Sequence, residues 1–169
     1  MTGEPEVAAY LDELLGQNEK IRPVIQSGNE MLDIILNGKL SAAADAGINV
    51  EIVRMQAPEK LPLSDAELCS LLVNIMDNAV AAASAAGVEQ PYIRLDAHLK
   101  SGFFVFSCKN SAAREWMQGK KEQETGPTHG LGLKIIRQIS ERYGDLMETE
   151  RGTDDYKVML AIPLDQPSK

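Results

Sequence analysis

The sequence predicts an α/β protein built as a two-layer sandwich, helices against a hairpin-built sheet, with a helical segment ahead of the sheet. Three observations lead there. Helix-period stripes occupy the first 46 residues and return around residues 64–87 and 129–143. Period-2 stretches near residues 92–108 and 146–162 are joined by short turns, which gives antiparallel hairpins. Strands and helices do not alternate throughout, so a doubly wound parallel sheet is not expected.

Each element has its own signal. Residues 4–20 carry Val7, Leu11, Leu14 and Leu15 on one helical face, and Pro23 breaks the pattern. A second helix is expected from about Ser27 to Ala46, with Met31, Ile34, Ile35, Leu36 and Leu40 as its apolar positions and Gly47 as its stop. Residues 49–55 alternate as a strand, with Val50, Ile52 and Arg54 sharing a face. Ser64 and Glu67 form a capping box ahead of the stripe Leu68, Leu72, Ile75, Ala79 and Ala82, and that helix stops at Gly87. Next comes a hairpin: Ile93, Leu95, Ala97 and Leu99 face inward against Tyr92, Arg94, Asp96 and His98, and the chain turns at Ser101-Gly102 into residues 103–108. The polar stretch that follows Asn110 and runs through Thr128 has the length and composition of a lid. A helix over residues 129–143 ends at Gly144, and strands at 146–150 and 156–162 flank a turn at Gly152.

Composition narrows the function. The chain has 169 residues, enough for one domain with a short appendage, and its 44% hydrophobic and 25% charged content is that of a soluble globular protein. No apolar run approaches the roughly 20 residues of a membrane span, and the first residues lack the pattern of a signal peptide. A net charge of −8 argues against nucleic acid as a partner, because phosphate-backbone affinity needs concentrated Lys and Arg. A nucleotide remains possible, since it needs only local backbone N–H groups and a metal. The two cysteines, Cys69 and Cys108, have no paired spacing and read as buried, reduced thiols.

Three places carry chemistry. Asn74 and Asn78 are one helical turn apart and project together beside the apolar stripe. Each amide offers a carbonyl oxygen for a hard cation and an NH₂ for a phosphate oxygen. The run His129, Gly130, Leu131, Gly132, Leu133 falls where the polar stretch meets a helix N-terminus, a place suited to an anion. It is not a dinucleotide fingerprint, because Ile135 replaces the third glycine and no strand directly precedes it. Asn110 is expected at a strand end, where its side chain leaves the sheet for a cleft. Lys120 and Lys121 read as a solvated pair, His98 as a solvent-facing strand residue, and Trp116 as an anchor for the closed lid.

Taken together, "LLVNIMDNAVAAA", a strand ending in "KNS", a lid and "THGLGLKII" resemble the GHKL ATPase superfamily in its histidine-kinase branch. The front segment "GNEMLDIILNGKLSAAADAGI" is similar to the second dimerisation helix of the quorum-sensing Agr type. The resemblance implies a Bergerat ATP-binding fold, a mixed and mostly antiparallel sheet backed by helices. It divides the chain into a helical remnant of the dimerisation region, residues 1–46, and the ATP-binding catalytic domain, residues 47–169. It implies ATP and Mg²⁺ as cofactors, with Asn78 on the metal, Asn74 orienting metal and phosphates, and His129 to Leu133 along the triphosphate. The family's Asp-x-Gly-x-Gly box is missing, and Asn110 stands near its aspartate as the implied adenine contact.

No catalytic side chain is assigned. Hydrolytic relatives carry Glu where this chain has Asn74, and an amide cannot serve as general base for water. The implied chemistry is phosphoryl transfer to a histidine on a dimerisation helix that this fragment lacks, since His98 and His129 do not lie on such a helix. The implied setting is a homodimer through the N-terminal helices of the full kinase, a response-regulator partner and a cytoplasmic domain of a membrane-anchored sensor in two-component signalling. The competing readings are a non-catalytic dimerising interaction module on a degenerate fold and an anti-sigma-factor-type serine kinase.

Overall fold

The structure, a computed structural model, describes residues 24–115, 131–143 and 147–165. The helix expected at 4–20, most of the lid with Trp116, Lys120 and Lys121, and the pair His129-Gly130 lie outside the described residues.

Among the described residues the elements follow in the order α1 (Glu30–Asp45), β1 (Asn49–Met55), α2 (Asp65–Ala83), β2 (Tyr92–Lys100), β3 (Phe103–Ser111), α3 (Leu131–Arg142), β4 (Met147–Arg151) and β5 (Asp155–Pro163). The strands form one sheet in the order β1-β2-β3-β5-β4. β1 runs parallel to β2 because α2 carries the chain across between them, while the other neighbours are antiparallel. This is the expected two-layer α/β sandwich with a mixed, mostly antiparallel sheet.

The inner face of the sheet is a cross-strand block of Ile93, Leu95 and Ala97, Phe104, Phe106 and Cys108, and Val158, Leu160 and Ile162, all nearly excluded from water. α2 lies centrally on that face between α1 and α3 and buries Leu68, Leu71, Leu72, Ile75, Met76, Ala79, Ala82 and Ala83. Its length and hydropathy would suffice to cross a membrane, but here the apolar stripe is spent on the core. α1 buries Leu32, Leu36, Leu40 and Ala43 in the same core cluster, so this part of the front segment packs as one unit with the sheet.

Local signals explain the boundaries. Ser64 caps α2 with a complete box, its Oγ accepting from Glu67 N while Glu67 accepts from Ser64 N. Asn29 caps α1, and its Nδ2 donates to the carbonyls of Pro58 and Glu59, so the cap ties the helix to the loop after β1. The β2–β3 hairpin turns through Ser101 and Gly102, both at positive φ, as a two-residue primed turn requires.

Several expectations need correction. α1 starts at Glu30, since Ser27 to Asn29 form its entry: Asp33 accepts from Ser27 N and Oγ, and Gly28 has φ +100. Arg54 does not share a face with Ile52, because a bulge at Val53 turns it outward, where it grips Asp96 at 2.7 and 2.9 Å. Leu99 is 41% exposed, because the helices do not cover the far end of the hairpin. Cys69 is exposed, sitting about 100° around the helix from Leu68. Cys108 is buried as expected, and burial pushes its thiol up to about 12, leaving it neutral.

Candidate nucleotide site

Asn74 and Asn78 lie on the flank of α2 that faces α3, on the same side as Glu67. Glu67 identifies that flank by contact, since its Oε1 accepts from Tyr143 Oη at 3.1 Å and its Oε2 is 3.3 Å from Arg142 Nη1. Four residues further along α2, Leu71 shares a small void with Ile139, four residues back along α3. The two helices are therefore antiparallel. Asn78 lies as far along α2 from Glu67 as Gly132 lies back along α3 from Tyr143, roughly 16 Å in each case. The first turn of α3 thus stands level with Asn78. The first N–H groups of an α-helix have no partner inside the helix, and its dipole gives that end positive potential.

Burial holds the outer parts of this arrangement. Ile136 and Ile139 anchor α3 in the core, while Asn74 and Asn78 are each half-buried at its margin. Burial alone would raise the Glu67 carboxyl, but hydrogen bonds from Ser64 and Tyr143 and the nearby Arg142 outweigh it and hold the carboxyl below its usual range.

Asn110 does not leave the sheet as expected. β3 continues to Ser111, and Asn110 is still paired with Ile93 and Tyr156, 3% exposed, on the helix-covered face. Ladder bonds from both neighbours keep the strand straight for these extra residues. β3 ends beside the start of β2, at the edge of the sandwich where α2 delivers its C-terminal half, so Asn110, Asn78 and the start of α3 occupy one end of the molecule.

The amides share a feature that spacing could not reveal. Asn74 Nδ2 donates to Ser70 O at 2.6 Å, and Asn110 Nδ2 donates to Ser111 O at 3.0 Å. Each partner is a carbonyl, which requires the NH₂ end and leaves Oδ1 outside that bond. One N–H of the Asn74 amide, expected to reach a phosphate, is thus held by its own helix. Among the described residues, no hydrogen bond is made by the Asn78 carboxamide. Acceptor oxygens suit a hard cation and an adenine amino group.

Leu131, Gly132 and Leu133 open α3, while His129 and Gly130 lie outside the described residues. His98 is on the outer face of the sheet, Nδ1 3.3 Å from Asp96 Oδ1 and remote from the asparagines. A groove of about 860 Å³ opens at the same end of the sandwich, between Gly87–Gln90, the residues after β3 and the β4–β5 turn at Asp154. None of Asn74, Asn78 and Asn110 lines it. Sequence reasoning missed both this groove and the Glu67–Tyr143 contact. The capping box was visible at Glu67, but nothing local pairs it with a residue in another helix.

Comparison with known proteins is consistent with this geometry. The family model for the GHKL domain matches residues 63–164. No curated protein matches the sequence. Among solved structures, the catalytic domain of histidine kinase ThkA superposes with a TM-score of 0.62 at 19% identity, covering 80% of this chain and 90% of that one. A histidine kinase from Burkholderia phymatum gives 0.62 at 17% identity, covering 96% and 80%. The Acinetobacter baumannii histidine kinase AdeS gives 0.60 at 15% identity, covering 95% and 80%. At these identities the likeness is one of fold.

Proposed function

Since the chain belongs to the GHKL domain family, we propose that it is the ATP-binding catalytic domain of a sensor histidine kinase, holding Mg-ATP for transfer of the γ-phosphoryl group to a histidine. The observation that carries this reading is the convergence of three asparagine amides and a helix N-terminus at one end of the sandwich, with Nδ2 of two of the amides bonded to backbone carbonyls.

In this reading Asn78 is the metal ligand, Asn74 adds a second oxygen beside it, and the first turn of α3 with His129 and Gly130 receives the triphosphate. Asn110 accepts from the adenine amino group. Mg²⁺ would neutralise charge on the phosphate oxygens. The residues themselves orient the nucleotide and supply no general base, since an amide at Asn74 cannot take a proton from water. A bound ATP is thereby kept for a side-chain acceptor: an imidazole nitrogen forms the new N–P bond as the bond from the γ-phosphorus to the bridging oxygen breaks and ADP departs. The acceptor histidine would be one on a dimerisation helix, a place that neither His98 nor His129 is read to occupy.

The front segment supports placing the kinase in the Agr-type quorum-sensing branch, as the cytoplasmic domain of a membrane-anchored homodimer that signals to a response regulator. Residues 1–46 would then be the remnant of its dimerisation region, with α1 docked on the catalytic core.

Calorimetric titration with a non-hydrolysable ATP analogue tests the reading. Binding should require Mg²⁺ and fall by about tenfold or more in Asn78→Ala, the loss expected for a contact to a charged group. Absence of binding by the folded wild type would favour a non-catalytic interaction module, a reading to which the missing Asp-x-Gly-x-Gly box already lends support.

A further inference from the structure

Glu67 stands where α2 begins and α3 ends, at the far end of the helix pair from Asn78. One carboxylate serves two helices there. Its Oε1 accepts from Ser64 N at 3.2 Å, completing the cap of α2, and also from Tyr143 Oη at 3.1 Å on the last turn of α3. Oε2 faces Arg142 Nη1 at 3.3 Å. Between this contact and the core lie Leu63, Leu71 and Ile139, which line a small void and meet through apolar surface alone.

Apolar contact between helices is non-directional and leaves their sliding register weakly specified, whereas a hydrogen bond fixes it. A slide of one residue moves a helix by about 1.5 Å, and displacements near 1 Å can disable a phosphoryl-transfer geometry. α3 has its first turn beside Asn78 and its last turn on Glu67, so the height of the first turn is set by the contact at the other end.

We infer that Glu67, acting through Tyr143, is a positioning residue for the nucleotide site: it sets the register of α3 against α2 and so aligns the first turn of α3 with Asn78. The inference rests on the nucleotide reading above. Glu67 touches no nucleotide, and its effect is transmitted along the rigid helix.

The test uses the whole chain and reads the affinity of a non-hydrolysable ATP analogue with Mg²⁺ beside the thermal midpoint. Tyr143→Phe keeps the ring and loses the hydroxyl, and Glu67→Ala loses the acceptor. Each should weaken the analogue by roughly threefold to tenfold, and the double variant should bind no more weakly than Glu67→Ala alone. Glu67→Gln keeps an oxygen for both Ser64 N and Tyr143 Oη and should restore near-wild-type affinity. Ile48→Val, a core change between α1 and β1 that does not line the void shared by α2 and α3, should lower the midpoint and leave affinity unchanged. Wild-type binding that is untouched by Tyr143→Phe and Glu67→Ala would reduce Glu67 to a helix cap and overturn the inference while sparing the nucleotide reading. A wild type that does not bind the analogue would remove both.

Discussion

Asn110 shows how much one side chain depends on where its strand stops. As the last residue of a strand it would face a cleft; with β3 extended to Ser111 it is held on the core face with its NH₂ on Ser111 O. As the adenine contact proposed above, its oxygen would discriminate bases, because adenine offers an amino donor at the position where guanine has a carbonyl. Asn110→Ala should weaken an adenine-nucleotide analogue by about threefold to tenfold, the value of one neutral hydrogen bond, and leave weak guanine-nucleotide binding unchanged in parallel titrations. On the opposite face, the hydrogen bond from Arg54 holds the Asp96 carboxyl below its usual range despite partial burial. A depressed folded value means that the ionised carboxylate stabilises the fold above the unfolded value near 4. That contribution disappears as pH falls through the folded value. Asp96→Asn should therefore lower the thermal midpoint slightly at pH 7, and the two midpoints should converge below about pH 4.

At the scale of elements, the capped helices and the primed hairpin were legible because their signals are local. The Ser64–Glu67 box, the Ser101-Gly102 turn and the stripe of α2 each need only a few neighbouring residues. The entry to α1 was less legible, because its determinants are tertiary. Ile25 is paired through both backbone groups with the carboxamide of Asn37, and Ala57 N donates to Ser27 O. Gly28 sits at φ +100, and a Cβ there would come within 3.0 Å of Ala57 O. Gly28→Ala should cost more than about 1 kcal/mol, from positive-φ strain and displacement of the loop. Denaturant unfolding would show it as a lower midpoint with an unchanged slope.

At the scale of the molecule, α1 is a structural part of the sandwich. Leu32, Leu36 and Leu40 each bury a full side chain, about 2 kcal/mol apiece by transfer. A chain beginning at Gly47 would expose the groove beside α2 that they fill. It should lose cooperative thermal unfolding or aggregate, while a chain beginning at Val24 should unfold as one transition. Circular dichroism melts of the two would decide between a domain that starts near residue 24 and one that starts at residue 47.

The sequence by itself determined the layers, the order of strands and helices, the capping box and the family motifs, because periodicity and turn chemistry act over a few residues. It also determined which amides were candidates. Only the tertiary structure decided the parallel pairing of β1 with β2, the outward turn of Arg54 at the bulge, and the exposure of Cys69 and Leu99. It alone joined Glu67 to Tyr143 and bonded Nδ2 of Asn74 and of Asn110 to backbone carbonyls. These depend on which residue of a distant element lies opposite, and that choice is made by burial and hydrogen bonding across the whole chain.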